Sequence, residues 1–552
     1  MSRYAKTVST KVTSQSEPIP GSDQVANSAG GFAFQVDDWT LLDRFLILGT
    51  ESGSYYAGEK EMTLKATDAI RRCIKVDGIH VVNRVFEISK AGRAPKNDPA
   101  IFVLALAAKT GNSVTRATAL ANMRHVCRTS THMFQFAAAL EQFGGWGRGT
   151  KRAFGTWYST KRVDQVAYQV IKYRQRDGWT HKDILRLAKP NWLGSQNLYR
   201  WIVGKPVEGE LPALITAFQL MEAAKTAGDV IKIIGEYPEL PWETIPSQFL
   251  KDPGVWEALL PSMPMTALIR NLARMTVNGT LTWTSAATNL AVQKLTDAEQ
   301  ITRQRVHPIS ALIALKTYAA GRSVRGDSTW TPVTKIIDAL DTTFYKAFST
   351  VEPTGKRVML TLDLSNSMGR GDVGGAPGLT PRIAAAAMSM VTAAVEKDYL
   401  ITGFTARGKD PVEFAGRSRE GLSLGISTLD ISPRQRLDDV VRSIERYLQD
   451  QKGSYGFTGT DCSLPMQYAL ERNIQVDAFI VYTDSETWAG KIHPSQALRQ
   501  YREKTGIPAK LIVVGMVASQ FSIADPNDAG MFNCVGFDTA TPNLMSDFIR
   551  GE

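Results

Sequence analysis

Cysteine is scarce in this 552-residue chain, and long apolar runs are missing. The four cysteines, Cys73, Cys127, Cys462 and Cys534, are widely spaced and form no CxxC pair. That pattern argues against a zinc site and for reduced thiols in a cytoplasmic protein. No apolar run approaches the roughly 18 residues needed to span a bilayer, so no membrane partner is expected. The opening MSRYAKTVSTKVTSQSEPIPGSDQ carries a few positive charges with no apolar segment behind them, which excludes a secretory signal. Residues 1–25 read as a polar, mobile tail. Also missing are a Walker motif, a nuclease-type carboxylate pair and a Ser-His-Asp arrangement, so no enzyme is expected.

Positive charge is present, and it is concentrated. The net charge is +10, with a pI near 9.2. Between Glu141 and Lys205 stand 13 Lys and Arg against 4 Asp and Glu, which leaves the rest of the chain near neutral. The same window holds Trp146, Trp157, Trp179, Trp192 and Trp201, five of the 11 tryptophans. A local excess of this size points to an acidic partner.

Residues from about 30 to 345 show helical apolar spacing, as in DPAIFVLALAAKT (98–110), VTRATALANMRHVC (114–127) and HMFQFAAALEQF (132–143). Many short helices over this length suggest stacked antiparallel pairs, although no clean repeat period is visible. Near residue 356 the pattern changes to short apolar strands alternating with helices. Strands at 357–363, 399–405, 476–484 and 509–517 alternate with helices at 382–397, 437–451 and 494–504. This alternation predicts an α/β domain with a doubly wound parallel sheet.

Two of those strands end on carboxylates followed by small polar residues, Asp363-Leu-Ser365-Asn-Ser367 and Asp484-Ser485, and a Gly459-Thr460-Asp461 turn lies between them. Ligands collect at the C-terminal edge of such sheets, so Asp363, Ser365, Ser367, Thr460 and Asp484 can converge there. Five hard oxygens without Cys or His favour Mg²⁺, with Mn²⁺ or Ca²⁺ as alternatives. The bland reading is that the serines cap a helix and the carboxylates end strands by coincidence. An aspartyl-nucleophile phosphohydrolase is a further reading, but Ser365 stands where its second Asp would be.

In the basic window, VDQVAYQVIKYRQR (163–176) reads as one amphipathic helix. Its polar face carries Lys172 and Arg176 four residues apart, with Gln165 and Gln169, while Arg174 lies nearer the apolar side. Two cations on one ridge suit phosphate oxygens, and a solvated face is the bland reading. His181 is read as either a helix cap or an RNA contact. Trp157, Tyr158 and Tyr168 are read as core, and Trp146, flanked by glycines, as the best exposed aromatic.

The strings FQVDDWTLLDRFLILGTESGSYY (34–56), VCRTSTHMF (126–134), VIKYRQRDGWTHKDILRL (170–187), MPMTALIRNLARMT (263–276), STVEPTGKRVML (349–360), GTDCSLPM (459–466), FIVYTDSETWAG (479–490), IPAKLIVVGM (507–516) and FSIADPNDAGM (521–531) are specific enough to name a family. The chain resembles the Ro autoantigen family, RNA-binding proteins that pair a TROVE helical module with a von Willebrand factor A domain. The resemblance implies a multidomain protein: a 1–25 tail, an all-α HEAT-like repeat ring over 26–350, and an α/β A domain over 351–552 that closes it. It puts the family's metal site on the same five residues, Asp363 to Asp484. It also implies that the basic helix binds small noncoding Y RNA on the ring's outer surface, through Lys172 and Arg176. The hole would take single-stranded 3′ ends of misfolded RNAs, in RNA quality control and stress-related decay, with exoribonucleases as expected partners. Arg124, Arg128 and His132 are candidates for lining that hole. The chain departs from vertebrate members after the LRL string, where an RNA-contacting His is replaced by Ala188-Lys189-Pro190. Lys189 would supply charge there without the same hydrogen bonding. The protein is expected to be a monomer, and the competing reading is a cation-dependent protein-adhesion scaffold whose basic surface is incidental.

Overall fold

A computed structural model of the chain describes residues 11–49, 59–190, 196–323, 327–348, 351–373, 379–406, 425–452, 459–538 and 540–551. These fall into two compact units, one of residues 71–92 and 96–347, the other of residues 11–70, 93–95 and 348–551. Trp192 and tail residues 1–10 lie outside the described residues.

The second unit begins with β1 (Gln24–Ala26), β2 (Phe32–Gln35) and α1 (Asp38–Leu48). The expectation of a mobile tail is corrected for residues 11–25. Gln15 and Ile19 are buried, and the main chain of Gln15 pairs with Gly490 and Phe32. A polar segment can dock when its side chains satisfy buried groups, and composition alone does not reveal that.

The helical unit is built from consecutive helices that stack in pairs. After α2 (Glu59–Ala91) come α3 (Asp98–Thr110), α4 (Ser113–Val126), α5 (Ser130–Gln142), α6 (Arg148–Ser159) and α7 (Val163–Lys172). A short hairpin, β3 (Gln175–Arg176) and β4 (Trp179–Thr180), leads into α8 (His181–Ala188) and α9 (Gln196–Val203). The unit continues through α10 (Ala213–Ala223), α11 (Ala227–Glu236), α12 (Pro253–Leu259), α13 (Met265–Val277), α14 (Ala286–Leu295), α15 (Ala298–Arg303), α16 (Pro308–Ala319) and α17 (Thr334–Lys346). Helix α3 packs on both α4 and α5, α4 on α6, and α6 on α8. That double engagement explains why α3 is apolar nearly all round, with Ala100, Ile101, Val103, Leu104 and Leu106 all buried. Thr180 and Asp183 start α8 with a reciprocal capping box.

The rest of the second unit alternates, with β7, β10, β11 and α22 added to the elements read from the sequence: β5 (Val358–Asp363), α18 (Pro381–Val395), β6 (Tyr399–Phe404), β7 (Ile426–Thr428), α19 (Leu437–Lys452), α20 (Leu464–Glu471), β8 (Ala478–Thr483), α21 (Pro494–Thr505), β9 (Lys510–Gly515), β10 (Phe521–Ser522), β11 (Met531–Val535) and α22 (Thr541–Arg550). The sheet order is β11-β9-β8-β5-β6-β7, parallel except for β7 at the edge. Every residue of β5 and β8 is buried, as expected of strands covered on both faces. A second, antiparallel sheet joins β1, β2 and β10. The four cysteines are free and buried.

Candidate functional site

The chain leaves β5 for α18 and β6 on one side, while β8 lies on the other side of β5. The order of the sheet therefore reverses beside β5, and the crevice at its C-terminal edge is the natural binding place. Asp363 ends β5 and Asp484 follows β8 directly. Asp363 accepts from the Ser365 amide at 2.9 Å and from Thr483 Oγ1 at 2.6 Å. Ser365 and Ser367 place their hydroxyl oxygens 3.0 Å apart, and Asp484 accepts from Ser367. Thr460 sits in the neighbouring loop, where its carbonyl accepts from the amides of Trp488 and Ala489. All five side chains are buried. Burial pushes both Asp363 and Asp484 above the usual carboxylate range, and their mutual repulsion adds to the rise for Asp484. Arg382 donates to the carbonyls of Leu364 (3.2 Å) and Ser365 (2.7 Å), so it braces the backbone of the crevice. Among the described residues no group of three or more His, Cys, Asp or Glu could hold a metal. A cation here would take two carboxylates and complete its shell with hydroxyls and water, which suits a hard ion.

In the helical unit the expected ridge of Lys172 and Arg176 is corrected. Helix α7 ends at Lys172, and Arg176 belongs to β3, which pairs with β4. The turn between them is Asp177-Gly178, both left-handed (φ 50° and 80°), the two-residue hairpin for which Asp-Gly is the usual sequence signal. The amphipathic pattern of 163–172 masked that signal. Lys172 is half-buried: its Nζ donates to Tyr168 at 3.1 Å, faces Glu243 at 3.8 Å and lies over the Tyr173 ring. Burial alone would lower its pKa, but Tyr168 and Glu243 outweigh that and raise it. Arg174 and Arg176 are exposed, each 3.5 Å from an exposed carboxylate, Glu222 and Asp177 respectively. Lys189 is exposed in a left-handed position that ends α8.

His181 is also corrected, both as a cap and as an RNA contact. Thr180 does the capping, and the His181 ring is buried. It bonds Tyr158 Oη at 2.8 Å and the Tyr173 carbonyl at 3.1 Å, and burial lowers its pKa to about 4. Trp146 is not the free aromatic expected. It is stacked between Phe154 and Trp179 at 4.3 and 5.1 Å. Trp157 and Tyr158 are core, as read.

Arg124, Arg128 and His132 prove to be part of a larger cationic cluster. Lys161, in the α6–α7 turn, places its Nζ 3.5 Å from the centre of the Trp157 ring, whose Nε1 donates to the Cys127 carbonyl at 2.6 Å. That seats Lys161 against the turn carrying Arg124 and Arg128. The Phe86 ring meets His125, Lys90 lies over Phe86, and Arg305 donates to the Lys90 carbonyl. Arg124 contacts His125 at 3.1 Å and Arg128 donates to Ser89. Among the described residues no carboxylate pairs with Arg124, Arg128 or Lys161.

Burial and that crowding lower the pKa values of several members. Burial lowers Lys161 to about 8, with Arg124 adding to the fall, while nearby Cys127 opposes it. Burial and then Arg305 lower Arg128, and burial and then Arg128 lower His132 to about 4. Burial and then Arg124, Lys161 and Lys90 lower His125. Arg128 and Lys161 line a cavity of about 620 Å³ together with Gln165, Tyr168 and Gln169, with Asp164 and Glu239 also in its wall. Sequence reasoning missed Lys161, Lys90 and Arg305. A Lys-Arg pair between two helical patterns was visible, but nothing local brings residues 90, 128, 161 and 305 together.

Comparison with known proteins agrees with both halves. The TROVE domain family matches residues 25–209 and 222–356, and the Ro60 vWA domain family matches residues 357–549. The RNA-binding protein RO60 of Deinococcus radiodurans is 40% identical over 539 residues, covering 96% of each chain. The protein of the same description from Caenorhabditis elegans is 34% identical over 612 residues, covering 96% of this chain and 90% of that one. The crystal structure of the Deinococcus radiodurans RO (RSR) protein is similar at a TM-score of 0.68 and 39% identity, covering 94% of this chain and all of the other. With a helical TROVE region followed by a parallel-sheet vWA domain, the chain belongs to the RO60 family.

Proposed function

We propose that this chain is a non-catalytic RNA-binding protein whose helical unit holds phosphates on the cluster of Lys90, Arg124, Arg128, Lys161 and Arg305. The observation that carries this reading is a crowd of cations in which, among the described residues, no carboxylate pairs with Arg124, Arg128 or Lys161, and in which burial and neighbouring cations push Arg128 and Lys161 down in pKa. Such a cluster is costly in the free protein, and a polyanion relieves the cost. Arg174, Arg176 and Lys189 add exposed charge, with only weak, solvent-screened pairing for the two arginines. The relatives' description as RNA-binding proteins supports the same reading.

The RNA is a small, structured noncoding species of the Y RNA kind, held by backbone contacts that read shape rather than sequence. Single-stranded 3′ ends of defective RNAs, handed on to exoribonucleases in RNA quality control, are the second ligand. Both particulars rest on the family resemblance. A Mg²⁺ ion, or Mn²⁺ or Ca²⁺ in its place, occupies the crevice of Asp363, Ser365, Ser367, Thr460 and Asp484. With two carboxylates and three neutral hydroxyls, such an ion is just balanced in charge, and it exchanges a bound water for an outside carboxylate or phosphate, which makes the crevice a docking point. Filter binding of a small structured RNA tests the first claim. Arg128→Ala with Lys161→Ala weakens binding at low salt, and unchanged binding in the folded double variant removes the assigned interface.

A further inference from the structure

We infer that Gln15 is a positioning residue for the cation crevice, and that the N-terminal segment from Lys11 to Gln35 is a strap whose docking and cation binding support each other. This rests on reading Asp363, Ser365, Ser367, Thr460 and Asp484 as a cation site. Thr460 and Asp484 belong to loops that are not held by the sheet ladder, and the carboxamide of Gln15 joins those two loops. Its Nε2 donates to Asp461 Oδ1 at 2.7 Å, beside Thr460, and to the Ile492 carbonyl at 2.8 Å. Its Oε1 accepts from Thr487 Oγ1 at 2.6 Å and from the Gly490 amide at 3.1 Å, on the loop that follows Asp484. Both ends of the group are satisfied in full burial, so the carboxamide has one orientation and adds a side-chain bridge to the direct bonds that the Trp488 and Ala489 amides make with the Thr460 carbonyl.

The rest of the strap reinforces this. Asn27 Nδ2 donates to the Thr487 carbonyl at 2.7 Å, and the amides of Ser28 and Ala29 both donate to Glu486 Oε2. The approach is close enough that no Cβ fits at Gly490, against Gln15 and Asp461, or at Gly31, against the Thr487 carbonyl. Farther from the crevice, Gln24 holds the Ile19 amide and His493. Partners of this kind, one step outside the ligands, fix ligand orientation, and losing one costs about 10-fold or more in metal affinity. Coupling is reciprocal, so the same factor by which docking favours the cation is the factor by which the cation favours docking.

The test is Mn²⁺ titration of the full chain by calorimetry, with Gln15→Ala, Asp363→Ala and, as a control outside strap and crevice, Lys504→Ala at the exposed end of α21 alongside. The expected result is about 10-fold weaker Mn²⁺ binding in Gln15→Ala, binding within about twofold of the unmodified chain in Lys504→Ala, and none in Asp363→Ala. Binding in Gln15→Ala within twofold of the unmodified chain overturns the inference and leaves the cation site standing. No Mn²⁺ binding by the unmodified chain overturns the cation site and the inference with it. Hydrogen exchange on the unmodified chain needs no variant to fold. Saturating Mn²⁺ should slow exchange at the Gln15 and Phe32 amides by about 10-fold. Protection that is absent, or that persists in Asp363→Ala, contradicts the coupling.

Discussion

Lys161 shows how one side chain acquires a role from its surroundings. Packed on Trp157, largely withdrawn from water and within reach of Arg124, its ammonium is held to about pH 8. Below about 8 the folded protein carries the charge, and above it the charge is lost although a free lysine would keep it. RNA affinity should therefore fall as pH rises from 7 to 9, and Lys161→Arg should flatten the fall, as a filter-binding pH series will show. His181 works in the opposite sense. Its neutral ring bridges Tyr158 and the Tyr173 carbonyl, with a folded pKa of about 4 against an ordinary 6.5. Its contribution to stability is complete above about pH 6.5 and declines as pH falls towards 4, because only the unfolded chain then takes up the proton. His181→Ala should cost about 3 kcal/mol in a denaturant melt at neutral pH, through cavity and lost hydrogen bonds. Folded His181→Ala should keep its RNA affinity. In the sequence this histidine looked equally like a cap or a ligand, because burial by helices distant in the chain is not written locally.

Among the elements, the β3–β4 hairpin carries exposed charge in the basic window. It needs Gly178 at φ 80°, so Gly178→Ala should cost about 1 kcal/mol and loosen the strand bearing Arg176, measured as loss of stability with weaker RNA binding. The Asp-Gly turn was legible, yet helical periodicity over 163–172 overrode it, and the ridge drawn through Lys172 and Arg176 followed from that error. Periodicity was a better guide in the sheet. Strands β5, β6, β8 and β9 and the helices between them lie where apolar runs predicted, since strands buried on both faces are apolar throughout. The strand-end carboxylates were legible for the same reason. What Asp363 and Asp484 do as buried neighbours should appear in thermal melts. Added Mg²⁺ should raise the melting temperature of the unmodified chain, and Asp363→Ala should abolish that shift.

For the whole molecule, charge composition located the basic window but not its grouping in space. Residues 90, 124, 128, 161 and 305 meet only because the stacked helices place four separate segments together. Only two of those residues were singled out in the sequence. The strap from residue 11 was misread for a similar reason, since its polar residues are ordinary until Gln15 meets its four partners. Family membership was legible because long strings match; the interface was not, because it is tertiary. The most direct test of the RNA-binding account is filter binding of a small structured RNA across a salt series, comparing the unmodified chain with Arg128→Ala/Lys161→Ala. The account predicts a steep fall in affinity with salt and a slope smaller by about 1 to 2 in the double variant. A slope and affinity that do not change in the folded variant would contradict it.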